Sequence, residues 1–183
     1  MNFVPTPVKD AFEIILSPLQ DERGVFSRIF CQDEMKKIGI SKNIVQINHS
    51  LNKKKGTIRG MHFQYPPHAE TKIIRCIKGK VYDVLVDLRK GSDTFLKWHS
   101  IELSPDKYNM IVIPEGCAHG FQTLEEDSEL LYFHTEFYMP KSEGAIRFDD
   151  PLLNIHWPLP AVNISAKDKN YPLLHPSFEG IAI

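Results

Sequence analysis

Short apolar runs separated by turn residues set the texture of this chain. Phe12–Leu16, Val25–Phe30, Ile44–His49, Thr57–Phe63, Lys72–Ile77, Val81–Leu88, Trp98–Leu103, Met110–Ile113, Leu130–Phe137 and Ala145–Phe148 are rich in Ile, Val, Phe and Tyr. Gly, Pro, Asn or Asp punctuate them, so each reads as a β-strand. Lys78-Gly79, between two of the strongest runs, reads as a hairpin turn. One helix is predicted over Gln32–Ile38, with acids in its first turn and Gly39 as its stop. The proline-rich stretch from Trp157–Pro160 onward reads as irregular chain packed over the strands. The pattern predicts an all-β sandwich or barrel. At 183 residues, with no repeat or linker, a single domain over residues 1–183 is expected.

Alternation within two of the runs carries more than fold class. In Leu130–Phe137, Tyr132, His134 and Glu136 share one face, and Leu131, Phe133 and Phe137 the other. The polar face would make a poor dry core, so it is expected to line a wet cavity. The aromatic face needs cover, from a second sheet or a subunit. In Val81–Leu88, Asp83 and Asp87 fall opposite Tyr82, Val84, Val86 and Leu88. An acid in so apolar a strand is costly to bury alone, which makes Asp83 a candidate pocket residue beside the plain reading of a solvent-facing acid.

Composition narrows the class. Hydrophobic residues are 42% and charged residues 25%, with a formal net charge of -1. No global field draws the chain to nucleic acid or an anionic membrane, and Lys53-Lys54-Lys55 reads as a solvated turn. No run approaches a membrane span and the N-terminal residues lack a signal-peptide pattern. Cys31, Cys76 and Cys117 are scattered, without a Cys-x-x-Cys, so packed thiols in a reducing cytoplasm are expected.

Two segments concentrate the chemistry. Arg59-Gly60-Met61-His62-Phe63-Gln64, followed by Lys72, and Ile113-Pro114-Glu115-Gly116-Cys117-Ala118-His119-Gly120-Phe121 each set a histidine beside glycines that permit close approach. Pro-x-Gly-x-x-His has the spacing of half a cupin metal motif. The other half would need His-x-His and a downstream Glu, where this chain has His62, Gln64 and Lys72. A barrel that exchanged its metal for a lysine points toward proton chemistry.

The ordered set Asp21-Glu22-Arg23-Gly24-x-Phe26, Arg59-Gly60-x-His62-x-Gln64, Lys72, Asp83-Val84-x-Val86-Asp87-x-Arg89, Ile113-Pro114-x-Gly116-x-Ala118-His119-Gly120-Phe121, Leu131-Tyr132, Trp157-Pro158 and Ile164-Ser165-x-Lys167-Asp168 resembles the dTDP-4-dehydrorhamnose 3,5-epimerase family, from about Glu13 to Leu174. The resemblance implies a cupin-type jelly roll with short flanking helices. It implies a homodimer, often with exchanged N-terminal strands, that uses no metal or organic cofactor in bacterial surface polysaccharide synthesis. His62 would match the catalytic base and Asp168 the acid that orients it. Lys72 would face the C4 oxygen, and Tyr132 would return a proton from the opposite face. Arg23 and Arg59 would clamp the diphosphate, Asp83 and His119 would be further pocket residues, and Phe26 and Tyr138 would lie near the nucleotide. Gln46, Asn48 and Lys167 join the substrate-binding set. The other histidines are taken as structural.

These residue types suit the reaction. Inverting a carbon beside a ketone removes a weakly acidic proton and replaces it from the other face. A neutral imidazole is a suitable base, worth about 10²–10⁴-fold. A carboxylate fixes its tautomer, an ammonium stabilises the enolate oxygen, and forked arginines bind diphosphate. Departures from the family pattern fall elsewhere: Arg28 replaces an acid, Ile47 an Asp, Glu70 a Gln and Phe133 a Lys. Arg28 exchanges an acceptor for a donor, which would suit guanine or a phosphate. A dTDP-hexose and a GDP-linked hexose or heptose are therefore both open. So are a related ketoisomerase, a metal cupin and a non-catalytic sugar-binding module.

Overall fold

In the computed structural model, which describes residues 1–183, strands form three antiparallel sheets. In chain order they are β1 (Asn2–Pro5), β2 (Phe12–Ile15), β3 (Leu19–Asp21), β4 (Gly24–Phe26), β5 (Gln46–Asn52), β6 (Ile58–Gln64), β7 (Lys72–Lys78), β8 (Val81–Asp87), β9 (Trp98–Leu103), β10 (Asn109–Ile113), β11 (Cys117–Thr123), β12 (Ser128–His134) and β13 (Glu143–Ala145). Two short helices accompany them, α1 (Gln32–Met35) and α2 (Ala166–Asn170). One sheet has the order β1-β2-β10-β7-β12-β5, a second β13-β6-β11-β8-β9, and β3-β4 stand apart as a hairpin.

Three apolar layers hold this together. Ile74, Ile111 and Leu130 of the first large sheet meet Val81, Leu85, Leu103 and Phe121 of the second. Outside the second sheet, Met61, Phe63, Val84 and Val86 are covered by Leu153, Ile155 and Ile181 from the C-terminal segment. Outside the first, Ile73, Val112 and Phe133 pack under Met35 and its neighbours Phe30, Ile38 and Ile44. The Phe133 face is thus covered by the N-terminal helical segment, not by a sheet. Strands buried on both faces lose their alternation. That explains β10, buried at all five positions, and β8, whose Asp83 and Asp87 face the inter-sheet layer at 0% exposure. Asp83 is therefore not the solvent-facing acid of the plain reading.

The predicted strands are present with shifted ends. Val25–Phe30 stops at Phe26, β5 runs on to Asn52, and Ala145–Phe148 is pairing over Glu143–Ala145 instead. Gly79 makes the expected β7–β8 turn at φ +70°. β1, β3, β11 and α2 were not anticipated. β11 pairs with β8 on one side and β6 on the other. Gly60 and Gly120 let β6 and β11 touch: a Cβ on Gly60 would lie 2.5 Å from the Gly120 Cα. The register between these strands shifts here, between His119 and Phe121. The glycines beside the two histidines therefore serve a backbone approach.

Candidate active site

A cleft of about 560 Å³ is walled by strands of both large sheets. Only five of its 21 lining residues are hydrophobic, which suits a charged, hydroxylated ligand better than an apolar one. One wall comes from the β6 sheet and carries Arg59 and His62. The other comes from β5, β7 and β12 and carries Gln46, Asn48, Lys72, Tyr132 and His134.

His62 Nε2 lies 2.8 Å from Asp168 Oδ1. The carboxylate accepts, so Nε2 carries the proton, and Nδ1, which bonds to nothing else in the protein, is left with its lone pair. Asp168 sits in α2, where its N–H donates to the Ser165 N-cap hydroxyl at 3.0 Å. Its Oδ2 also accepts from the Gly60 N–H at 3.4 Å. Burial pushes the Asp168 carboxyl up, but the His62 contact and the Gly60 and Ser165 donors outweigh it and hold the group below its ordinary value. Asp168 is 4% exposed, and it was the Ser165-x-x-Asp168 capping pattern that could have signalled this helix in a stretch that otherwise reads as polar loop.

Across the cleft, the Tyr132 hydroxyl lies 2.9 Å from Ser50 Oγ. Burial raises its pKa well above the usual phenol value, against the Ser50 hydrogen bond, so the group holds its proton. Lys72 Nζ donates to the His62 carbonyl at 3.3 Å and pairs with Glu70 at 3.2 Å. A base, an ammonium and a protonated phenol therefore share one cleft, with base and phenol on opposite walls.

The other expected residues divide into four groups. Arg59 lines the cleft and donates from Nε to Asn52 Oδ1 at 2.7 Å. At the rim, Tyr138 Oη and Lys167 Nζ both bond to Glu143, at 2.8 and 2.6 Å. Asp83 and His119 pair at 2.9 Å behind the cleft, with the His119 ring edge-on to Tyr132. Arg23, Phe26 and Arg28 stand outside it. Arg23 pairs with Asp21 at 2.6 Å on the exposed β3–β4 hairpin, Phe26 is 73% exposed, and Arg28 bonds to Glu34 at 2.9 Å. Sequence reasoning missed Glu143 and Ser50, and it took as structural His134, which lines the cleft. The alternation Tyr132, His134 had marked that face as wet. No three His, Cys, Asp or Glu side chains converge as a metal site would require.

Comparison with known proteins agrees with this arrangement. A family model described as dTDP-4-dehydrorhamnose 3,5-epimerase matches residues 5–176. The enzyme of that name from Salmonella typhimurium is 43% identical over 178 residues, covering 95% of this chain and 96% of its own. A Bacillus anthracis dTDP-4-dehydrorhamnose 3,5-epimerase structure with TDP and PPi bound superposes with a TM-score of 0.91 at 36% identity, covering 94% of this chain and 99% of that one. The Legionella pneumophila dTDP-6-deoxy-D-glucose-3,5-epimerase in complex with dTDP-4-keto-L-rhamnose gives 0.89 at 36% identity, covering 94% and 92%. The fold is the cupin-type jelly roll of these enzymes, and the chain belongs to the dTDP-4-dehydrorhamnose 3,5-epimerase family of isomerases.

Proposed function

We propose that the protein inverts C3 and C5 of a dTDP-linked 4-keto-6-deoxy hexose without a cofactor. The observation that carries this is the His62–Asp168 dyad on one wall of the cleft and the protonated Tyr132 on the other, with Lys72 in the same cleft. His62 takes the proton from the carbon beside the ketone through Nδ1, and Asp168 holds the imidazolium that forms. Electron density moves to the C4 oxygen, where Lys72 stabilises the enolate. Tyr132 returns a proton to the opposite face, and a turn of the sugar brings the second carbon to the same groups. Arg59 binds the diphosphate. Support for thymine over guanine comes from the thymidine nucleotides named with the B. anthracis and L. pneumophila structures.

The test is incubation with a dTDP-4-keto-6-deoxy hexose in D₂O, reading deuterium at C3 and C5. Exchange at both positions is expected. No exchange with any 4-keto nucleotide sugar overturns the epimerase reading, a moved carbonyl marks a ketoisomerase, and faster turnover of the GDP-linked analogue overturns the choice of base.

The working unit is a homodimer in which the β3–β4 hairpin reaches the partner's cleft. The hairpin pairs with no other strand of its protomer, and an isolated two-stranded ribbon is marginal in water. Leu19, Val25 and Phe26 on it are exposed at 70%, 47% and 73%. An R23A chain mixed with an H62A chain would then form heterodimers with one intact cleft. Each variant alone is expected to be nearly inactive, and the mixture to regain about a quarter of wild-type turnover from statistical pairing. A mixture no better than its parts overturns the exchange.

A further inference from the structure

His134 and Glu70 have no part in the proton transfers proposed above, yet both line the cleft. Glu70 is bound at both oxygens: Oε2 by His134 Nδ1 at 2.7 Å and Oε1 by Lys72 Nζ at 3.2 Å. The three side chains are only 8–10% exposed. Burial pushes the Glu70 carboxyl up, but His134 and Lys72 outweigh it and keep it below its ordinary value, hence ionised. On its other side, His134 Nε2 meets Asn48 Nδ2 at 3.2 Å. Because an amide nitrogen donates and a carboxylate accepts, this arrangement requires a neutral ring with its proton on Nδ1. The chain continues: Gln46 Nε2 donates to Asn48 Oδ1 at 3.3 Å, and Gln46 Oε1 accepts from the Tyr138 N–H at 3.1 Å. Every donor in it points toward Glu70, from the cleft rim on one side and from Lys72 on the other.

We propose that Glu70 and His134 are positioning residues: Glu70 holds the Lys72 ammonium for the enolate, and His134 fixes which edge of the Asn48 amide meets the ligand. The first half rests on the epimerase reading of Lys72. Glu70 and His134 link two parts of the cleft that see different parts of a nucleotide sugar. The reaction end needs a cation with a settled position and charge. The β5 wall needs one donor–acceptor pattern, because Asn48 turned over would offer the opposite one.

The two links separate by mutation. Glu70→Gln keeps the shape and removes the counter-charge. The Lys72 ammonium rests against Glu70, with His134 beyond it, so losing the carboxylate removes the contact that holds it in place. E70Q is expected to lower kcat about tenfold and leave KM within about twofold. Glu70→Asp, which keeps the charge, is expected to restore most of kcat. His134→Asn keeps a donor near Nδ1 but removes the Nε2 acceptor. It is expected to raise KM and the dTDP-sugar Kd about fivefold or more while largely sparing kcat. Melting curves identify any variant whose loss is only a folding loss, and a loss confined to unfolded protein counts against the proposal. Wild-type deuterium exchange with E70Q and H134N both indistinguishable from wild type overturns this proposal alone. Absence of exchange in the wild type overturns the epimerase reading beneath it.

Discussion

The protein contains two His–Asp pairs built on neighbouring strands, and they are nearly the same object in different surroundings. His62 and His119 are cross-strand partners on β6 and β11. Each bonds through Nε2 to one carboxylate oxygen, at 2.8 and 2.9 Å. The His62 side chain is 34% exposed and its carboxylate has a further donor in the Gly60 N–H. His119 is 6% exposed, Asp83 is fully buried, and the second Asp83 oxygen has no partner. The carboxyl values diverge accordingly. Asp168 is held down by its donors, whereas burial pushes Asp83 up against the pull of His119. The two pairs therefore differ in what surrounds them: His62–Asp168 has an open side where a substrate could sit, which the proposed mechanism needs, and His119–Asp83 is closed in.

The largest contrast is expected from removing each histidine. His62→Ala should lower kcat about 10²–10⁴-fold. The same change should cost less stability than the loss of His119, because the His62 side is open to solvent and Asp168 keeps the Gly60 N–H. His119→Ala should do the reverse. It strands a buried carboxyl and is expected to cost about 3 kcal/mol, roughly 6–12 °C in Tm. Activity assayed well below its melting point should fall far less than for H62A. Turnover and calorimetry on the two variants decide it. An H119A protein that is stable but inactive would make the buried pair catalytic and collapse the distinction.

Much of this was legible in the sequence, and the gaps have physical causes. Strands such as β7 and β8 were visible because Ile and Val runs end in clear turns. β11 was not, although all seven residues are buried: Cys117-Ala118-His119-Gly120-Phe121-Gln122-Thr123 has both faces covered and hence no alternation. Tyr132 and His134 were placed on a wet face by alternation alone. Asp168 was not reachable that way. It lies 106 residues from His62, on a five-residue helix too short for any periodicity. Its role came from a family motif, and its position from a capping serine and a long-range contact. Arg23 and Phe26 came from the same resemblance and Arg28 from a departure from it, but their place depends on what covers an exposed hairpin and the chain after it, which local pattern does not encode.

The smallest effect, and the sharpest on the comparison, is the pH dependence of stability. Asp168 has a folded value below its ordinary 3.8. Its contribution is present above that value and disappears as pH falls through the lower folded one. Asp83 has a folded value above 3.8. Its contribution is present below 3.8 and declines as pH rises through the folded value. Asp168→Asn should therefore be less stable than wild type at neutral pH, with the deficit closing below about pH 4. Asp83→Asn should gain on wild type as pH rises from about 4. Each slope is limited to about 1.4 kcal/mol per pH unit for one proton. Urea unfolding at intervals from about pH 3 to 8 measures both. Parallel curves for the two variants would mean that Asp83 is ionised against His119 much as Asp168 is against His62. The difference between the pairs would then reduce to access for the substrate, with no electrostatic part.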